Sequence, residues 1–397
     1  MKPLRLAIIT SHPIQYYAPL FRRLAHSGAI TPRVFYTWSQ TEGTAVRDAE
    51  FGRTFAWDIP LLEGYDYEFI ENVARRPGTD HFWGLINPHL TTAIMAWRPH
   101  AILVIGWNSW SHLRVMMQFK GRVPVLFRGD STLLDPRPPL RRALRRALLR
   151  FVYGHVDLAL AVGENNRDYF RWCGLPPERI CLVPHAVDTE RFAADAARHA
   201  QQAQQWRRDL GIPERARILL YAGKFIPVKD PLRLLRAFTA LAPCPGAPPL
   251  HLVFVGHGEL ERTLMQAAAE RRDVHFLPFQ NQQAMPAVYR LSDVYVLPSV
   301  SETWGLAMNE AMATGSLIIA SSRVGGARDV VEEGINGWTF EAGRQDALAE
   351  IINRFRILDA ERLANMKSAA SERSRRWSVE AAAGALTQAL QRGVQTA

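Results

Sequence analysis

The chain has 397 residues, 48% of them hydrophobic and 22% charged, with a formal net charge of +10. That length calls for two cores of comparable size, the composition excludes a disordered chain, and no apolar run approaches the ~20 residues that span a bilayer. The basic excess favours anionic partners, but no zinc-finger spacing, RNA-recognition signature or basic tail occurs, which excludes nucleic acid as the main partner.

The opening "MKPLRLAIITSHP" has too short an apolar run for a signal peptide and is expected to be a first strand, Leu4–Thr10. Further strands are expected at Arg33–Tyr36, Ile102–Ile105, Val123–Phe127 and Leu158–Val162, and in "ERICLVPHAVD". Between the second and third, segment 44–90 is rich in aromatics and turn residues and reads as a loop region inserted on the first domain, either shaping a pocket or packing over a sheet edge. Residues 190–216 are polar, rich in Ala and Gln, and helical in character, and they read as a connector. Strands resume in "RILLYAG", "LHLVFVG", "VHFLP", "DVYVLP" and "SLIIAS". Strands alternating with helices predict an α/β chain of two Rossmann-like, doubly wound parallel sheets. Two such domains facing each other imply a cleft at the carboxyl ends of their strands. Three cysteines (Cys173, Cys181, Cys244) without a pairing pattern favour a reducing, cytoplasmic location.

"DPRPPLRRALRRALLRFVYG" predicts an amphipathic helix around 138–152. Leu140, Leu144, Ala147, Leu148 and Phe151 share one face, and Arg141, Arg142, Arg145, Arg146 and Arg150 form a basic side. The apolar stripe is expected to pack on the sheet, as on any α/β helix. The arginines then remain available to an anionic membrane surface, a peripheral contact on the inner face of the cell membrane.

"SETWGLAMNEAMATG" places Glu302 and Glu310 in an otherwise apolar stretch after the strand "VYVLP". Buried carboxylates need partners. A helix starting near Trp304–Gly305 and closed by Gly315 puts Glu302 at its mouth and Glu310 about 12 Å further along the axis, at ~1.5 Å per residue. First-turn amides around Trp304, Gly305 and Leu306 offer an anion site, and each carboxylate can accept two hydroxyls of a sugar ring. "YAGKFIPVKDP" adds Lys224 and Lys229 at another strand end. With no Asp-x-Asp motif in the chain, lysines and a helix mouth are expected to hold a diphosphate without metal.

The residues "PSVSETWGLAMNEAMATGSLIIASSRVGGARDVVEEGINGWTF" resemble the nucleotide-sugar site of the retaining glycosyltransferases of family 4, which have the GT-B fold. The likeness rests on Glu302, Glu310–Gly315, and Gly325, Gly326 and Asp329. It extends to "AGKFIPVKDPLRLLRAF", to the Gly-x-Gly turn of "FVGHGELERTL", and to "PHAVDTERF". "RRWSVEAAAGALTQAL" is similar to the family's closing helix, which returns to the first domain. The resemblance divides the chain at 1–189, 190–216, 217–375 and 376–397. It implies that Glu302 holds the transferred sugar, Glu310 the ribose, and Lys224 and Lys229 the diphosphate, beside Gly223, Thr303, Trp304, Gly305 and Leu306. Backbone around Leu277 and Phe279 meets the base. It implies retention without a protein nucleophile, the leaving phosphate taking the acceptor's proton. Glu302, Lys229 and His12 are the expected catalytic residues.

In the first domain the likeness thins. "SHPIQYYAP" has no glycine where the family has a Gly-rich loop, and "FRGDST" stands where a His is usual. His12, Gln15, Arg128 and Asp130 are the acceptor-side candidates, with loop bracing as the other role for His12 and a helix N-cap for Asp130. The function expected is transfer of a sugar from a nucleotide-diphosphate sugar to a glycan or lipid-linked acceptor, as in polysaccharide biosynthesis, with no cofactor beyond that co-substrate. The rivals are a nucleotide-sugar epimerase on the same fold and a non-catalytic sugar-nucleotide or glycan-binding protein.

Overall fold

The computed structural model describes residues 3–39, 46–48 and 53–395, so part of segment 44–90 lies outside the described residues. The chain divides into two compact units. Met1–Val46, Ile59–Ala186 and Val379–Ala397 form the first, and Arg47–Asp58 with Val187–Ser378 the second.

In chain order the strands begin with β1 (Leu4–Thr10), β2 (Ile30–Tyr36), β3 (Val46–Asp48), β4 (Arg53–Phe55) and β5 (Asp66–Phe69). They continue with β6 (Ala101–Ile105), β7 (Val125–Gly129), β8 (Leu158–Ala161) and β9 (Ile180–Leu182). Among the described residues β3 and β4 pair with each other, and the other seven form one sheet in the order β5-β2-β1-β6-β7-β8-β9. Every pairing in that sheet is parallel, from Arg33↔Asp66 at one edge to Ala161↔Leu182 at the other. A parallel sheet is covered on both faces, so its strands are apolar along their whole length. Ala7 and Ile9 join Val104, Phe127, Tyr153 and Phe170 on one face. Leu6 and Ile8 join Leu103, Leu126 and Leu158 on the other, sealed by Leu386 and Leu390 of helix Val379–Gln395. The alternation of neighbours between the two clusters is the period of two of a strand.

Two readings of this unit are corrected. Segment 44–90 is not wholly a loop on the first domain: Asp66–Phe69 is an edge strand, and Arg47–Asp58 belongs to the second unit. Its pattern, Asp-Tyr-Glu-Phe, half exposed at a sheet edge, lacks the apolar run that marks the inner strands. The basic helix, Pro139–Gly154, buries Leu149, Val152 and Tyr153. The expected core stripe faces outward, with Leu140, Leu144, Leu148 and Phe151 exposed by 72, 65, 52 and 54%.

The second unit continues with β10 (Arg217–Lys224), β11 (Leu250–His257), β12 (Val274–Leu277), β13 (Val294–Leu297), β14 (Leu317–Ser321) and β15 (Gly337–Phe340). They form a sheet in the order β12-β11-β10-β13-β14-β15. Segment 190–216 contributes helices Thr189–Ala193 and Ala196–Asp209 to this unit. Its strand order reverses direction between β10 and β13, and that of the first sheet between β1 and β6. At such a switch point the flanking loops diverge and leave a crevice at the carboxyl ends of the strands, where ligands of open α/β sheets bind.

Candidate active site

In the second unit the crevice lies between the loop after β10, with Lys224 at the strand's end and Lys229 in the turn Pro227–Lys229, and the loop after β13, with Glu302. Val300 N donates to Val228 O at 2.9 Å and ties the two loops together. Across the tie the Lys229 ammonium forms an ion pair with the Glu302 carboxylate, both side chains mostly buried. Glu302 is held from the other side as well. Its N–H donates to Arg323 O at 3.2 Å, and Gly325 N donates to its carbonyl at 2.9 Å, a bridge to the loop after β14. Phe225 N donates to His257 O at 2.9 Å, which brings the Gly-x-Gly turn against the lysine loop.

The helix after Glu302 runs Leu306–Ala313 and is preceded by Gly305. Glu302 therefore lies outside it, and the helical rise does not measure its separation from Glu310. Gly305 has φ +91°, a left-handed conformation open to glycine, and a Cβ there would sit 2.8 Å from Leu297 Cδ2 and Val324 Cγ1. Trp304 is buried, its Nε1–H donating to Asn309 Oδ1 at 3.3 Å and its ring 5.0 Å from that of Trp377. Gly326 lies under it: its N–H donates to Trp304 O at 2.9 Å, and a Cβ would meet that oxygen at 2.8 Å. The Gly325–Gly326 pair thus lets the loops after β13 and β14 close on each other. At the helix start, the Leu306 and Ala307 amides have no partner within the helix, and Thr303 is exposed beside them.

Glu310 projects from this helix into a half-buried site. The Tyr289 hydroxyl donates to its Oε2 at 2.7 Å. Burial raises its pKa, while the Tyr289 hydrogen bond and the Arg191 charge act to lower it. Arg191 donates from Nη1 to Gln282 O at 2.6 Å and from Nη2 to Gln282 Oε1 at 2.9 Å. Gln282 belongs to the loop that follows Leu277 and Phe279 at the end of β12. Gly223 is in β10, paired with Gly256. The fold therefore gathers Gly223, Lys224, Lys229, Leu277, Phe279 and the 302–310 segment at the carboxyl ends of one sheet. Tyr289 and Arg191 were not anticipated. Arg191 stands inside the quoted "PHAVDTERF", but Tyr289 carries no motif of its own.

In the first unit His12 and Gln15 follow β1. The His12 Nδ1 lies 2.9 Å from Ser11 Oγ, and the ring stands edge-on to Trp38 at 5.7 Å. Burial lowers its pKa to about 4, so the ring is neutral at pH 7. Arg128, on β7, is 1% exposed and donates from Nη1 to Val183 O and from Nη2 to Pro184 O, each at 2.9 Å. It braces the end of β9 in place of the expected acceptor-side contact. Its charge acts on half-buried Tyr16 and on buried Tyr17 and His185, three residues given no role in the sequence reading. Asp130 follows β7, but the next helix starts at Pro139 with Pro138 as its cap, which removes the N-cap role. Among the described residues, no group of three or more His, Cys, Asp or Glu could hold a metal ion, and no helix is long and apolar enough to cross a membrane.

Comparison with known proteins places the chain in a family. The family of glycosyl transferases group 1 matches residues 202–373, and glycosyltransferase family 4 matches residues 54–191. The chain belongs to the family 4 type of GT-B glycosyltransferases. Among curated relatives, the D-inositol 3-phosphate glycosyltransferase of Corynebacterium glutamicum (strain R) is 28% identical over 66% of this chain and 62% of its own length. That of Saccharomonospora viridis is 37% identical over 41% of this chain and 38% of its own. The matches thus span about half the length of those relatives. Among solved structures, Anabaena HepE in complex with UDP and glucose superposes with a TM-score of 0.70 at 18% identity, over 98% of this chain and 100% of that one. A glycosyltransferase from Rickettsia africae gives 0.73 at 14%, over the whole of both chains. These likenesses show the fold.

Proposed function

We propose that the protein transfers a sugar from a nucleotide-diphosphate sugar to a glycan or lipid-linked acceptor with retention of anomeric configuration. The observation that carries this reading is the convergence of Lys224, Lys229, Glu302 and Glu310 at the switch point between β10 and β13. The diphosphate takes the lysines and the amides at the start of helix Leu306–Ala313, which need no added metal to offset its charge. Glu310 accepts the ribose hydroxyls, Glu302 those of the transferred sugar, and the loop at Leu277 and Phe279 receives the base. The bond from the anomeric carbon to the phosphate oxygen breaks as the acceptor oxygen bonds to the same face, and the acceptor's proton passes to that phosphate oxygen. His12, Gln15 and Asp130 contact the acceptor, and Arg128 acts as their brace. HepE, solved with UDP and glucose, supports a nucleotide-sugar donor.

The outward stripe of Leu140, Leu144, Leu148 and Phe151, flanked by arginines, fits an anionic membrane surface. An interfacial helix places its apolar face among acyl chains and its basic side among headgroups. The protein then works on the cytoplasmic face of a membrane, where a lipid-linked acceptor is held.

The test is nucleoside diphosphate release from a panel of UDP-, GDP- and ADP-sugars, with and without glycan and lipid-linked acceptors, and proton NMR of the anomeric configuration of the product. Acceptor-dependent release with a retained anomer is expected. Donor isomerised without any acceptor, or bound without turnover across the panel, overturns the reading.

A further inference from the structure

We infer that Tyr289 and Arg191 are positioning residues that hold the Glu310 carboxylate in its hydroxyl-accepting form and orientation and couple it to the loop after β12. The inference rests on the reading of Glu310 as the ribose ligand. A carboxylate can take both hydroxyls of a ribose only when ionised and when its oxygens are fixed in direction. Glu310 stands where burial opposes ionisation, so whatever offsets burial sets how well the site works.

Two side chains do so. Tyr289, fully buried on helix Met285–Arg290, gives its only proton to Glu310 Oε2 at 2.7 Å. That bond fixes one oxygen and leaves the other lone pairs to a ligand. Arg191, on the short helix Thr189–Ala193, supplies a positive charge that favours the ionised form. It cannot swing away easily, because its fork is bidentate on Gln282 and its guanidinium lies 4.3 Å over the Phe192 ring. Phe192 in turn is buried against Tyr289, ring centroids 5.9 Å apart. Among the described residues, Glu310 is also sensed by Tyr295, a phenol on β13 whose pKa burial raises and which is neutral through the range of interest. The Gln282 end of the fork lies in the loop proposed to receive the base. Arg191 thus connects the base loop to the ribose carboxylate, and filling one pre-forms the other.

The test measures dissociation constants of UDP, GDP and ADP from pH 5 to 8 by calorimetry, following the nucleotide that wild type binds most tightly. Tyr289→Phe, which removes one oxygen, is expected to weaken binding about tenfold at pH 6, the usual effect of a hydrogen bond to a charged group. The loss shrinks by pH 8, because the carboxyl titrates higher and the acid limb of binding moves to higher pH. Arg191→Gln shifts the limb the same way, and Arg191→Lys restores its position by keeping the charge. In steady state both losses fall on donor KM, with kcat nearly kept. A residue that only packs would lower thermal stability and leave the limb in place. Glu310→Gln separates the two levels of inference. If it loses nucleotide binding while Tyr289→Phe and Arg191→Gln bind with the wild-type pH profile, the positioning role is overturned. If Glu310→Gln binds like wild type, or wild type binds none of the three nucleotides, the ribose reading falls and this inference with it.

Discussion

Lys229 and Glu302, from loops on opposite sides of the switch point between β10 and β13, are joined in an ion pair. The two charges that the proposed reaction uses on different parts of the donor neutralise each other. Glu302→Gln therefore releases the lysine for the diphosphate. Bare nucleoside diphosphate should bind this variant no more weakly than wild type, while kcat falls by about 10²–10³, the usual effect of losing one interaction specific to the transition state. Calorimetry beside steady-state rates checks both halves. Loss of diphosphate binding would place the carboxylate's role elsewhere.

Lys229→Met removes the cation instead. It leaves Glu302 facing the diphosphate without compensation, so binding of nucleoside diphosphate should weaken by about 1.5–3 kcal/mol, as for a lost charge-assisted hydrogen bond. Unchanged affinity in a folded variant would move the diphosphate away from this loop.

If lysines and a helix start face the leaving group as proposed, donor turnover is expected to survive EDTA. Activity abolished by the chelator and restored by Mg²⁺ or Mn²⁺ would contradict that account. The measurement is nucleoside diphosphate release before and after dialysis.

The outward stripe of helix Pro139–Gly154 sets a membrane test with two arms. Replacing Arg141, Arg142, Arg145 and Arg146 with Gln should weaken binding to phosphatidylserine-containing vesicles by about 1 kcal/mol per charge. Leu144→Glu with Leu148→Glu should abolish binding without unfolding, because both leucines are already exposed. Equal vesicle sedimentation by all variants would make this face a plain surface.

Several imidazoles are buried in the neutral form. His112 accepts from Thr37 Oγ1 (3.1 Å), donates to Gly106 O (2.8 Å), and has its pKa lowered by burial to about 4. The unfolded chain takes up that proton near pH 6.5. Stability is therefore full above pH ~6.5, falls as pH drops through it, and levels off only below about 4. One such residue costs about 2 kcal/mol at pH 5. The denaturation midpoint should decline from pH 7.5 to 5, and His112→Gln should flatten part of that slope.

The strands of both sheets were legible wherever apolar runs are long: β1 begins at Leu4 and ends at Thr10 as expected. Asp66–Phe69 and Gly337–Phe340, both at sheet edges, were not, because each mixes polar or small residues with aromatics and lacks the apolar run that marked equally short strands such as Val294–Leu297. Glu302 and Glu310 stood out because charges in apolar surroundings demand partners, and Lys224 and Lys229 because they lie where a strand end can offer cations to a diphosphate. Which partner each finds was hidden. Lys229 meets Glu302, and Tyr289 meets Glu310, through tertiary contacts between segments that carry no shared spacing. The basic helix misled because two apolar rows run along it, and the longer row is the one left outside.

Helix Val379–Gln395 seals one face of the first sheet, yet Val187–Ser378 of the second unit comes before it in the chain. During vectorial synthesis the part of that face this helix covers stays bare until the second unit has emerged. Helix Ala18–His26 brings Leu20, Phe21 and Leu24 to the same face early, but Leu386 and Leu390 follow only after translation of nearly two hundred more residues, tens of seconds at ~5–20 residues per second. The first unit to leave the ribosome is thus the last to be completed. Chaperone dependence, and aggregation after premature termination, should track the delay before this helix appears.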